Sequence, residues 1–226
     1  RPLYLVQARQ QPLHIVATRG HTAAICLLLR HRADVNAQDG TGQAALAMFA
    51  ASGSSDAVRC LLEQRADIDA RWGGGSTPLD ISVVFGRIDV VELLIAARAD
   101  LFDRPSGVTP LHDCAIFQSG HIVTQALISA RADVDSRLFL SFGTSSWFII
   151  SMMSLRFYCG NRSFLTLFAH HLPGSTPLML AVMFNLFEEA SLMLHAGASL
   201  GTRNIRGADA RGLAEIFGVS DVVRSL

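Results

Sequence analysis

The chain is 226 residues long, 50% hydrophobic and 17% charged, with nineteen basic residues set against nineteen acidic ones. Zero formal charge leaves no electrostatic footprint for nucleic acid or an anionic membrane surface, and half-apolar composition suits a long buried core. Every basic residue is Arg, and the absence of Lys excludes a P-loop lysine, a Schiff-base lysine and a kinase-type phosphate lysine.

In chain order, the first readable phrase is Gln11-Pro12-Leu13-His14, followed by Gly20, an apolar triplet at 27–29 and the phrase ADVNA at 33–37. The same events begin again at Ala44-Ala45-Leu46-Ala47, with Gly53, a triplet at 60–62 and ADIDA at 66–70. A third round runs from Thr77-Pro78-Leu79-Asp80 through Gly86 and the triplet 93–95 to ADLFD at 99–103. A fourth opens at Thr109-Pro110-Leu111-His112 and closes with ADVDS at 132–136. After an interruption, Thr176-Pro177-Leu178-Met179, Asn185, the triplet 192–194 and ASLGT at 198–202 make another round. The leading alanines of the closing phrase lie 33, 33, 33 and 66 residues apart. A fixed period of this length marks stacked supersecondary repeats, not one globular core.

One repeat is legible residue by residue. Thr77, Thr109 and Thr176 suit an N-cap, where the hydroxyl accepts from an orphan backbone N–H. Pro follows each, and its missing donor costs nothing at the first helical position. A short apolar helix such as 79–85 then stops at a Gly able to adopt the left-handed conformation, for which Asn185 is the best substitute. A second helix such as 88–98 carries one apolar face, and the Ala-Asp phrase with the glycines 73–75 turns toward the next repeat. Alone, such a repeat leaves its apolar face uncovered. Three departures carry expectations. Ala44-Ala45 lacks the capping pair, so its helix is weaker by about 1 kcal/mol. Gly120 comes nine positions after Leu111 where the earlier repeats have seven, predicting a first helix or following turn longer by two. The last round starts near Asn204 and keeps Gly218 in register, but has Arg211 where the others have Leu. Both ends read as cuts through a longer array or a larger protein.

These phrases resemble the ankyrin-repeat family, whose unit is about 33 residues and whose signature contains Thr-Pro-Leu-His. The resemblance covers about 1–137 and 173–226. It implies an all-α ankyrin-repeat solenoid of stacked helix-turn-helix units with protruding loops. Repeats 1–4 would occupy 1–137, an apolar, aromatic insert or degenerate repeat 138–172, and one repeat plus a truncated terminal repeat 173–226. The resemblance also implies a non-enzymatic protein–protein interaction module, a monomeric scaffold or adaptor in the cytoplasm or nucleus. Its partner would be a protein, not a nucleic acid or a membrane, held by the loop tips and the concave helix face. On this chain the family's binding positions fall on Thr41, Gln43 and Ser52, on Arg71, Trp72, Ser76 and Phe85, and on Arg104, Ser106 and Val108. Trp72 and Phe85, both expected to be exposed, have the character of binding hot spots beside Arg71 and Arg104. Two other readings stay open: a membrane-associated ankyrin protein such as a channel or transporter segment, and a regulatory array of a larger enzyme.

No cofactor, metal or catalytic set emerges from spacing. Cys26, Cys60, Cys114 and Cys159 form no CxxC pair, which points to a reducing compartment, and Cys26 and Cys60 sit where small buried hydrophobes are wanted. His14 and His112 are the fourth letter of the repeat phrase, His21 and His121 follow the inter-helix glycine, and His170-His171 alone makes a poor metal site. Glu188 and Glu189 read as a solvated helix surface. The stretch 138–172 holds eight of the seventeen aromatics and no acidic residue. It reads as a loop insertion, a degenerate fifth repeat, non-native coding sequence such as a retained intron, or a membrane span at 138–155. Seven of the eighteen residues in 138–155 are Ser, Thr or Gly, and spanning would part repeats that must stack.

Overall fold

A computed structural model describes residues 11–19, 22–72, 75–102, 108–138 and 172–219. They form two compact units that divide after Asp100, all-α apart from two isolated bridges at loop tips. The N-terminal unit holds α1 (Pro12–Arg19), α2 (Thr22–Arg30), α3 (Ala45–Ser52), α4 (Ser55–Glu63), α5 (Pro78–Val84) and α6 (Ile88–Ala96). Each repeat pairs its two helices, α1 with α2, α3 with α4 and α5 with α6. First helices pack on first helices, α1 on α3 and α3 on α5, while α2 packs on α4 and α4 on α6. The side chains between the rows are those the periodicity marks: Leu13, Ile25, Leu46, Phe49, Leu61, Leu79, Val83 and Leu94 are all buried. Each contributes about 1.5–3 kcal/mol of transfer free energy that an isolated repeat would forgo.

The helix starts follow the capping chemistry. Thr77 Oγ1 accepts from the Asp80 N–H at 3.3 Å, and Asp80 Oδ2 accepts in return from the Thr77 N–H at 2.8 Å. Ala44 has the same extended backbone at the start of α3 but no side-chain bond to offer. Helix ends hold a feature the sequence phrases do not announce. Arg32, Arg65, Arg98 and Arg131 all sit at positive φ, between 62° and 66°. At each, the N–H of the Arg and that of the following Ala reach back to the last helical turn, as Arg98 N–H to Ile95 O at 2.9 Å and Ala99 N–H to Leu94 O at 3.0 Å. This doubly bonded left-handed end normally takes Gly.

Two kinds of bond tie neighbouring repeats together, both of them between the first and second and the loop bond alone between the second and third. The His14 Nε2–H donates to the carbonyl of Gln43, just before the start of α3, at 3.0 Å. Farther along, the Asp67 N–H donates to Asn36 Oδ1 at 2.8 Å and the Asp100 N–H to Asp69 Oδ1 at 3.0 Å. His14 and its counterpart His112 are thus buried stacking elements. Cys26 and Cys60 depart from expectation: Cys26 is exposed and Cys60 half-buried. Each lies one residue off the buried stripe, which in α2 runs through Ile25 and Leu29 and in α4 through Ala57, Val58 and Leu61.

The C-terminal unit holds α7 (Pro110–Phe117), α8 (His121–Ser129), α9 (Pro177–Met183), α10 (Phe187–His195) and α11 (Ala210–Phe217). Here α9 packs on both α7 and α11, and α10 packs on α8. The bonds between repeats recur, His112 Nε2–H to Ser175 O at 3.2 Å and Ser199 N–H to Asp135 Oδ1 at 2.9 Å. The first spans 63 residues where His14 to Gln43 spans 29. Burial pushes the His112 imidazole down to about 4, only partly opposed by the Ser175 carbonyl and Asp133. In the same repeat the helix-ending left-handed residue after α7 is Gln118, at φ 54°, with Gly120 also at positive φ (98°) two residues on. The first helix therefore ends in register at Gln118, and the turn into α8 takes up the extra length. Asn185 (φ 59°) and Gly218 (φ 68°) occupy the left-handed sites as expected. Arg211 is exposed on α11, whose core position is taken by Leu213. Glu188 pairs with His121 at 2.8 Å, but Glu189 is buried, so that pair is not a uniformly solvated surface.

Candidate partner-binding face

The loop tip between α2 and α3 is closed by its own backbone. The Asp39 N–H donates to Gln43 O and the Gly42 N–H to Asp39 O, both at 3.0 Å, with Gly42 at φ 82°. Asp39 Oδ1 accepts from the Thr41 N–H at 2.8 Å, the Thr41 hydroxyl at 2.6 Å and the Gln43 N–H at 3.0 Å. Partial burial pushes the Asp39 carboxyl up, but these bonds, with His14 nearby, outweigh it and hold the pKa below the ordinary carboxylate value. Thr41 is exposed at the apex and Gln43 half-buried beneath it.

The next tip, between α4 and α5, repeats the fold without the carboxylate. Trp72 stands where Asp39 stood, and its N–H donates to Ser76 O at 3.0 Å while its carbonyl accepts from Gly75 and Ser76 N–H at 3.1 and 3.2 Å. Trp72 is half-buried, not exposed, at a tip whose backbone closes from Trp72 to Ser76. Arg71 is exposed and Ser76 half-buried. Ser52 and Phe85 occupy matching positions at the ends of the packed helices α3 and α5. Ser52 turns its hydroxyl to Phe49 O at 2.9 Å, whereas Phe85 leaves 54% of its surface open to water.

Arg104 and Ser106 lie outside the described residues. Val108 does not belong to a surface: it is 6% exposed, an apolar side chain that gains by leaving water where the polar Gln43 and Ser76 at the same place stay half-buried. Of the ten expected positions, the N-terminal unit therefore brings seven together on its two tips and two helix ends. Thr41, Ser52, Arg71 and Phe85 are the exposed ones.

The sequence matches the family description "Ankyrin repeats (3 copies)" over residues 13–105 and "Ankyrin repeat" over 106–137. The chain belongs to the ankyrin-repeat family. A search of the curated proteins returns no match. Ankyrin repeats generally mediate protein–protein interaction and are generally non-catalytic. The helices α9 to α11 lie beyond the matched residues yet keep the repeat's devices. Thr176 caps α9 with Pro177 behind it, and the Asn204 side chain accepts from Arg206 and Ala208 N–H, both at 3.0 Å, as Asp39 does in its ankyrin tip. Among the described residues no three His, Cys, Asp or Glu side chains converge, and no helix is long and apolar enough to cross a membrane. Of the candidate span 138–155, only Leu138 is among the described residues.

Proposed function

We propose that this ankyrin array is a non-enzymatic scaffold or adaptor segment that binds a partner protein through the tips and first-helix ends of its N-terminal unit. The observation that carries the reading is Phe85, 54% exposed at its helix end where Phe184 in the same repeat position is buried, beside two tips closed by backbone bonds. A rigid aromatic held in water on a pre-ordered surface is the kind of side chain that dominates a protein interface, and tips already closed lose little entropy on binding. Arg71 and Thr41 stand exposed at the two apices, the one a guanidinium and the other a hydroxyl oxygen able to accept. The partner is a protein and the working state a monomer in a reducing compartment, cytoplasm or nucleus.

The test is affinity capture by the purified chain against the variant Phe85→Ala with Arg71→Ala, with circular dichroism and melting recorded on both. The expected result is loss of the wild-type chain's specific captured protein at unchanged helicity and melting midpoint. Undiminished capture moves the interface to another face of the array.

A further inference from the structure

Cys26 on α2 and Cys60 on α4 bring their Sγ atoms to 2.7 Å, across the seam between the first two repeats. Two sulfurs at this separation are well inside the contact distance of unbonded thiols and need little motion to reach a covalent bond. Both belong to packed helices, so the approach is held by the array and not by two mobile loops. Neither is sequestered: Cys26 is exposed and Cys60 half-buried, unlike Cys114, which is fully buried. No CxxC spacing announces the pair, because its 34-residue separation is the repeat period plus one.

We propose that Cys26 and Cys60 are a reversible dithiol–disulfide pair that staples the first repeat to the second when oxidised by a low-molecular-weight disulfide such as glutathione disulfide. The Cys26 thiolate, the more open of the two, attacks one sulfur of glutathione disulfide, forming a mixed disulfide and releasing one glutathione thiolate. Cys60 then loses its proton to water and attacks the Cys26 sulfur. The Sγ–Sγ bond forms and the second glutathione thiolate leaves. Two protein thiols have lost two electrons and two protons, and one small disulfide has become two thiols. Cys60 is the slower, resolving thiol: burial first, then the neighbouring Cys26 and Glu63, push it up to about 11 against a smaller opposing effect of Arg30. In a reducing compartment the dithiol is the resting form, and the staple forms as the glutathione pool turns oxidising.

The full chain is equilibrated in mixtures of reduced and oxidised glutathione, quenched with acid and cut after Arg. Cleavage isolates Cys26 in peptide 20–30 and Cys60 in peptide 60–65. The expected product is a monomer lighter by two hydrogens, giving a linked 20–30/60–65 species that dithiothreitol removes. Its melting midpoint lies several degrees above that of the reduced chain. Cys60→Ser should give only a glutathione adduct on Cys26, with no rise in midpoint. Glutathione adducts on both thiols without the linked peptide, a dimer joined through Cys26, or a linked peptide that forms only in denaturant would each overturn the proposal.

Discussion

At the scale of single residues, the recurring left-handed Arg is the least expected feature. A side chain at φ near 60° costs about 1–2 kcal/mol through the clash of Cβ with the following carbonyl, and Gly avoids it. The chain takes that Gly once, at Gly197 (φ 90°), and uses Arg at the four equivalent positions described. Arg98 is exposed, so replacing it removes little packing. Arg98→Gly should therefore raise stability by about 1 kcal/mol, after allowing for the extra freedom Gly brings to the unfolded chain. Arg98→Ala keeps the Cβ and should gain nothing. Urea unfolding of the two variants against the parent checks both; a loss in Arg98→Gly would mean that the Arg side chain itself holds the turn. The same logic was visible in advance at Asn185 but not at Gln118. Gly120 stands two residues past the helix end, so the extra length expected for the first helix or its turn falls in the turn.

At the scale of elements, the informative contacts flank 139–171. The Leu138 N–H donates to Ser175 O at 2.9 Å and the Gly174 N–H to Leu138 O at 2.8 Å. These are the two bonds that close the tip at Asp39, with Leu138 in the place of Asp39, Gly174 in that of Gly42 and Ser175 in that of Gln43. Gly174 cannot be enlarged there, since a Cβ would stand 2.9 Å from the Ile205 backbone nitrogen at φ 77°. For the expected insert or degenerate repeat at 138–172, of which 139–171 lie outside the described residues, we propose the insertion. The reading rests on α9 packing directly on α7 and α10 on α8, where an intact fifth repeat would have had to stand between them. Joining Leu138 to Leu172 should leave a tip of ordinary length, and so a folded, helical chain. Long loops cost only a little more to close than short ones, so the melting midpoint should rise by a few degrees at most. Loss of helicity or a fall of many degrees on differential scanning calorimetry would mean that the stretch is packed as a repeat. Length alone left this open, because one repeat and one insertion of the same size are indistinguishable in register.

At the scale of the whole molecule, the two shifted groups that most affect stability both make acid unfavourable. His112 is buried and neutral, with a pKa of about 4 against an ordinary 6.5. Between those values the unfolded chain binds a proton that the folded chain refuses, so stability falls as pH drops from 6.5 toward 4. The total is on the order of 3 kcal/mol. Above 6.5 this loss is absent. Asp39 adds in the same direction lower down: its folded pKa lies below 3.8, so its contribution is present above that value and fades as pH falls through it. Melting midpoints of the chain measured from pH 7.5 to 4 should decline chiefly below 6.5, and His112→Asn should flatten that decline while lowering the plateau. A wild-type profile that is flat between 6.5 and 4.5 would show that His112 titrates normally and is not held neutral by its burial.

What the sequence by itself determined is the repeat: its period, its caps at Thr77 and Thr176, its left-handed stop at Asn185 and the apolar stripes that stack. These follow from local rules, each satisfied within one turn of helix or one tight turn, so spacing alone exposes them. The expected binding positions came from the family resemblance, and of those in the N-terminal unit Thr41, Ser52, Arg71 and Phe85 are exposed while Gln43, Trp72 and Ser76 are half-buried. Tertiary structure decided what depends on neighbours in space. Val108 is buried where the polar residues at the same place in the preceding repeats are not. Trp72 lies half-covered at a tip where the family resemblance implies an exposed side chain. Cys26 meets Cys60 because α2 packs on α4, and Asp135 reaches Ser199 because two helix pairs distant in sequence are adjacent in the stack. A fixed period tells which residues are equivalent; only packing tells which of them touch.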